Sequence, residues 1–181
     1  MEDKKTAVRE ELKHYGNHVV QYAPDYSICA GCVSCSIMCG LLHEGFTGPG
    51  NSRIKVEIDR RHMLHRVLTC YHCKDHPCYD ACPKKGAAMK IDDKLGVVYI
   101  DEAYCIGCGL CAKHCKFTPS RITMIKDKVR KEWKAAKCDL CRGREEGPAC
   151  VQYCPVRCLG LSDNSQYVDE QLVPGVKGEE C

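Results

Sequence analysis

The chain has 181 residues, 18 of them cysteine, an apolar share of 44% and a formal charge of +3. With cysteine set aside only about a third is conventional apolar material, and two Phe and one Trp give too little aromatic mass for a large all-carbon core. The start, Met1-Glu2-Asp3-Lys4-Lys5, is charged with no apolar run behind it, and no stretch approaches the roughly 18–20 apolar residues of a membrane span. These features point away from a secreted disulfide scaffold and a membrane-spanning chain. They point to a cytoplasmic setting, in which thiols stay reduced and available to metal.

In chain order, residues 1–24 form a polar lead-in with Ala7, Val8 and Leu12 at near-helical spacing, read as a short helix or arm. A first cysteine group follows, and Gly48-Pro49-Gly50 then breaks the chain. Residues 53–58 alternate strictly, the mark of a half-buried strand. A turn at 59–62 leads to a second strand at 63–68, which makes a hairpin between the first and second groups. The second group ends at Cys82-Pro83. A further hairpin is predicted from 89–91 through a turn at 92–96 to 97–100, delivering the chain into the third group. A short strand at 122–125 comes next. The basic stretch 126–137 reads as a solvated helix face, or more sharply as a docking surface for an acidic redox partner. The fourth group encloses a longer loop at 142–149, and 163–181 is a polar tail.

The four groups are Cys29, Cys32, Cys35, Cys39; Cys70, Cys73, Cys78, Cys82; Cys105, Cys108, Cys111, Cys115; and Cys138, Cys141, Cys150, Cys154. The first and third read C-x2-C-x2-C-x3-C, the spacing of bacterial iron–sulfur ligation, whose fourth cysteine serves the other cluster of a two-cluster unit. The second and fourth stretch one loop, to C-x2-C-x4-C-x3-C and C-x2-C-x8-C-x3-C. The expected cofactors are four [4Fe–4S] clusters, with all sixteen cysteines as iron ligands. Zinc usually takes C-x2-4-C pairs separated by longer spacers, so four zinc sites in an interaction module form the rival reading. Small residues between ligands (Ala30, Gly31, Gly107, Gly109) let backbone N–H groups point at sulfur. Cys158 and Cys181 are left over and read by default as a free buried and a free tail cysteine, although Cys158 lies where it can face the same cluster as Cys154, behind its ligands or as a spare one. His43, His72, His76 and His114 sit in or beside the groups; no group lacks a cysteine, so they read as donors near sulfur or ordinary polar residues.

A [4Fe–4S]2+ core with four thiolates carries about −2, so four of them turn the formal +3 into about −5. A basic nucleic-acid binder is thereby excluded, and no aromatic interleaving accompanies the basic stretch. No phosphate loop, nucleophile elbow or acid–base pair is present to support catalysis on an organic substrate.

The run Cys29 to Cys39 with Leu42-His43-Glu44-Gly45 and Ser52-Arg53-Ile54, the run Cys70 to Pro83, and Pro148 to Pro155 resemble the four-cluster ferredoxin-type electron-transfer subunits. These serve molybdenum and tungsten oxidoreductases, carbon-monoxide dehydrogenases and hydrogenases. The match covers roughly residues 25–160. The compact chain and the His-Glu-Gly segment are most similar to small subunits beside tungsten or carbon-monoxide enzymes, tungsten benzoyl-CoA or aldehyde oxidoreductases being favoured. The resemblance implies an α+β fold of two nested dicluster ferredoxin modules with small β-hairpins and short helices. Residues 70–125 would form the inner module, 25–69 with 126–162 the outer one, 1–24 an arm and 163–181 a tail. It implies the ligand sets Cys29, Cys32, Cys35 with Cys154; Cys138, Cys141, Cys150 with Cys39; Cys70, Cys73, Cys78 with Cys115; and Cys105, Cys108, Cys111 with Cys82. Spacing alone also allows the third group to pair with the fourth. The implied role is a non-catalytic wire between a catalytic oxidoreductase subunit and a ferredoxin or other carrier, in an anaerobic metabolism. The alternative is a free polyferredoxin.

Overall fold

The computed structural model describes residues 16–21, 29–48, 50–126 and 131–162. The predicted helix near residues 7–12, the tail at 163–181 and Cys181 lie outside them. Among the described residues there are small strands paired two by two and a few short helices. This is the economy expected of a chain with little carbon to bury.

Strands β2 (Lys55–Glu57) and β3 (Arg66–Leu68) form the first expected hairpin, in the register Lys55↔Leu68 to Glu57↔Arg66. The ladder is shorter than the alternating run because its first residues are used otherwise. The Ile54 N–H donates to Ser52 Oγ at 3.1 Å, and Arg53 turns into a cluster of carboxylates. Asp59 Oδ1 accepts the N–H groups of Arg61 and His62, an Asx turn that starts the reversal. The second hairpin pairs β4 (Met89–Asp92) with β5 (Val97–Ile100). Asp92 Oδ1 caps Lys94 and Leu95, and Gly96 closes the turn at φ 65°.

The basic stretch departs from the helix reading. Strand β6 (Ile122–Lys126) pairs with β7 (Trp133–Lys137) from Ile122↔Lys137 to Lys126↔Trp133. Lys134 and Lys137 are buried. Helix propensity in the Lys-Ala run is worth only tenths of a kcal/mol per residue, and a full ladder of tertiary pairing overrides it. Strand β1 (Val19–Gln21) pairs with β8 (Leu159–Leu161), so residues placed in the arm by sequence close onto the far end of the described chain. Gln21 ties this pair to β3: its Nε2 donates to His65 O at 2.8 Å and its Oε1 accepts Val67 N–H at 2.7 Å.

The helices each start within a cysteine group: α1 (Ser34–Glu44), α2 (Pro77–Asp80), α3 (Leu110–Lys113) and α4 (Ala149–Gln152). Helix α1 packs on α4, and α2 on α3. Two cores follow. One gathers Val19, Ile54, Val97, Leu140 and Leu159 around Cys35, Cys39, Cys150 and Cys154. The other gathers Met89, Val98, Ile122 and Ala135 around Cys111, with Cys78, Cys82 and Cys105 against it. Neighbouring residues of β5, Val97 and Val98, enter different cores, because successive strand side chains point to opposite faces. No helix among the described residues is long and apolar enough to cross a membrane.

Candidate metal centres

Each cysteine group bends the same way. The residue before the second cysteine is left-handed in all four: Gly31 (φ 64°), His72 (48°), Gly107 (67°) and Leu140 (57°). This reversal throws the flanking sulfurs to one side and turns backbone N–H groups inward. A second left-handed residue precedes the helix of the third cysteine in three groups: Val33 (55°), His76 (44°) and Gly109 (73°). For a residue with a Cβ this conformation costs about 1–2 kcal/mol, and it persists only where the surroundings hold it.

The bends bring cysteines from different groups together. Cys82, Cys105, Cys108 and Cys111 line one hollow with Met89 and Ile100. Cys70, Cys73, Cys78 and Cys115 line a second with Val98, Phe117 and Lys137. In the other core, Cys29, Cys32 and Cys154 all lie within electrostatic reach of the Cys35 thiol. Cys150 has Cys138, Cys141 and Cys39 around it. In each of these assemblies the last cysteine of one run sits with the first three of another.

N–H groups point at the sulfurs: His72 N to Cys70, Arg121 N to Cys115 and Ala135 N to Cys105, each at 3.4 Å, and Ala149 N to Cys141 at 3.5 Å. Gly31 N–H serves Cys29, as foreseen for that glycine, and Arg53 N–H with Ser52 Oγ serves Cys39. Burial pushes the thiols of Cys35, Cys73 and Cys111 up to about 12, and those of Cys138 and Cys150 are also raised by burial. Four thiolates therefore share such a hollow only around compensating positive charge. Soft sulfur donors, an apolar wall and N–H groups aimed at sulfur suit thiolate-bound iron.

Charged residues lie just behind the sulfurs. Arg53 places Nη1 3.1 Å from Asp139 Oδ2 and Nη2 3.0 Å from Glu102 Oε1, with Glu44 Oε1 at 3.8 Å. It thus fastens α1, the fourth cysteine group and the segment just before the third to the start of the first hairpin. His43 Nε2 lies 3.6 Å from both Cys141 Sγ and Asp139 Oδ1. These three side chains are close enough to hold a lone ion, but Cys141 is also grouped with Cys39, Asp139 and Ala149 N. Of the two roles expected for it, a donor near sulfur or an ordinary polar residue, the 3.6 Å approach of His43 Nε2 to Cys141 Sγ suits the donor. His72 is buried, with Nδ1 3.4 Å from Lys137 Nζ, and His114 turns Nδ1 back to Leu110 O at 2.9 Å. Lys137 was not foreseen as a site residue. It reaches Val98 O, and its charge opposes the burial that raises the Cys78 thiol. In sequence it is one of several lysines, and nothing local marks it as buried.

Grouped thiols of this kind, in dicluster spacing, define an iron–sulfur protein of ferredoxin type that carries [4Fe–4S] clusters. A family model described as a 4Fe-4S dicluster domain matches residues 62–164, and the chain belongs to that family. It is 38% identical over 126 residues to the polyferredoxin-like subunit of aliphatic sulfonate oxidoreductase from Pyrococcus furiosus, covering 70% of this chain and 66% of that protein. It is 35% identical over 137 residues to AegA of Escherichia coli, of which it spans 20%. Among solved structures it is similar to a chain of the active-site complex BamBC of benzoyl-coenzyme A reductase, at 21% identity, with 81% of each chain covered and a TM-score of 0.40.

Proposed function

We propose that the chain holds four [4Fe–4S] clusters in a row and carries electrons, as a non-catalytic subunit, between a catalytic oxidoreductase subunit and a ferredoxin or other carrier. The observation that carries this reading is that a cysteine of each assembly lies within electrostatic reach of the next. Cys35 of the first assembly acts on Cys150 of the fourth group. Cys70 of the second group acts on Cys138 of the fourth. Cys78 of the second group acts on Cys111 of the third. These proximities support a series from the Cys29–Cys32–Cys35–Cys154 site, through Cys138–Cys141–Cys150–Cys39 and Cys70–Cys73–Cys78–Cys115, to Cys105–Cys108–Cys111–Cys82. Among the described cysteines Cys32 and Cys108 are exposed, one in each terminal set. Ile106, Tyr104 and Trp133 are also exposed, close in sequence to Cys108 or, for Trp133, in contact range of Gly107. These apolar residues suit a partner's face.

When bound, each cluster supplies one-electron exchange. The chain's own part is to hold sixteen sulfurs in sequence, aim N–H groups at them and limit the access of water to the two middle sets, none of whose cysteines is exposed. Nested modules accord with the two cores, since the outer core gathers the first and fourth groups and the inner core the second and third. The catalytic partner is inferred from the relative named as an oxidoreductase subunit. A tungsten- or molybdenum-pterin enzyme is favoured over carbon-monoxide dehydrogenase or hydrogenase by the resemblance carried at Leu42-His43-Glu44-Gly45. The setting is cytoplasmic.

Anaerobic isolation from the native host tests this reading. The expected result is a brown complex with about sixteen irons and sixteen sulfides per chain (four of each per cubane) and a larger subunit bearing tungsten or molybdenum. A colourless zinc protein overturns it. A brown chain that elutes alone replaces the subunit with the free polyferredoxin.

A further inference from the structure

Cys158 belongs to none of the four ligand sets, yet it is 1% exposed and faces sulfur. Its Sγ lies 3.6 Å from Cys154 Sγ, and its N–H donates to the same sulfur at 3.4 Å. Its side chain also hydrogen-bonds to Cys29. The residue immediately precedes β8, and the pairing of β8 with β1 fixes the backbone that presents it. The first site thus gathers five sulfurs, and two of its ligands touch the fifth. A buried thiol acting only as a small hydrophobe has no need of such neighbours.

We propose that Cys158 is a reserve iron ligand for the Cys29–Cys32–Cys35–Cys154 site. With the set intact it donates its S–H to the Cys29 sulfur. When Cys154 leaves iron, the Cys158 thiol passes its proton to the departing thiolate. An Fe–S bond to Cys158 then forms as the bond to Cys154 breaks, and no electron changes hands. The placement is apt, because this terminal site includes the exposed Cys32 and meets solvent and oxidants before the inner sites do. The inference rests on the four-cluster reading.

The test compares the full-length chain with Cys154→Ala, Cys154→Ala/Cys158→Ala, Cys29→Ala and Cys39→Ala, each isolated anaerobically and assayed for iron, sulfide and the electron-paramagnetic signals of the reduced state. Wild type and Cys154→Ala should both hold about sixteen irons, the latter with an altered signal from one cluster, and the double variant about twelve. Cys39→Ala, with no reserve thiol assigned, should fall to about twelve on its own. Cys29→Ala, which also leaves Cys158 facing the gap, should retain its irons. Cys154→Ala indistinguishable from the double variant, whether both keep the cluster, lose it or fail to fold, overturns the reserve role. A wild-type chain far short of about sixteen irons instead overturns the four-cluster reading.

Discussion

Replacing Gly107 and Gly109 by alanine, one at a time, separates two costs that the cysteine loops impose. Both glycines are left-handed, at φ 67° and 73°, so either substitution incurs about 1–2 kcal/mol of backbone strain. A Cβ on Gly109 meets nothing within 4 Å, whereas one on Gly107 falls 2.0 Å from the Trp133 carbonyl oxygen. That is more than an ångström inside van der Waals contact, and the obstacle is backbone. Strand β7 must move, and it carries the Ala135 N–H that serves Cys105 Sγ and the Lys134 ammonium that reaches Cys105 O. Losing one such hydrogen bond to a charged group costs about 1.5–3 kcal/mol. Gly107→Ala should therefore be less stable than Gly109→Ala by roughly 1.5–3 kcal/mol. With a urea dependence of about 2 kcal/mol per molar, its midpoint for loss of visible cluster absorbance, measured anaerobically, should lie roughly 0.75–1.5 M lower. Equal midpoints, or the reverse order, would refute the role given to the close approach of the loop and β7.

Lys137→Met keeps the length of the stem and removes the buried charge beside the Cys70–Cys73–Cys78–Cys115 site. Reduction there adds negative charge, so one cluster's potential should fall, on the order of 60 mV for each ~1.4 kcal/mol of lost attraction; redox titration with every cluster potential unchanged would contradict the assignment. His18 is held below its ordinary 6.5 by burial, against an opposing hydrogen bond to Gly16 O. The unfolded chain therefore binds the extra proton first. The contribution of neutral His18 is full above about pH 6.5 and is lost as pH falls through and below that value. Wild type should lose more stability than His18→Gln between pH 7 and pH 5, as read by urea midpoints, and parallel losses would contradict this.

The sequence was most legible where chemistry requires adjacency. The cysteine runs announce their sites because three sulfurs must come from one tight loop, and the hairpin turns are marked by Asp59, Asp92 and Gly96, which cap or close them locally. The pairing of β1 with β8 was illegible: three-residue strands show no periodicity, and their partners lie at opposite ends of the described chain. The basic stretch 126–137 reads as helix because lysine and alanine favour helix and solvent in isolation, whereas its described ends, Lys126 and Trp133–Lys137, are strand. In the fold Ala135 N–H is needed by Cys105, and two lysines are drawn inward to carbonyls of Cys105 and Val98. Leu140 and His72 hold the bend that glycine supplies at Gly31 and Gly107. Composition therefore marked only half of a backbone feature common to all four groups.

Anomalous scattering at the iron edge, recorded from anaerobic crystals of the full chain, locates the iron. Four cubanes should stand in single file, the first held by Cys29, Cys32, Cys35 and Cys154 and the last by Cys105, Cys108, Cys111 and Cys82. Isolated metal atoms at these positions, or cubanes shared between the third and fourth groups, would contradict this arrangement.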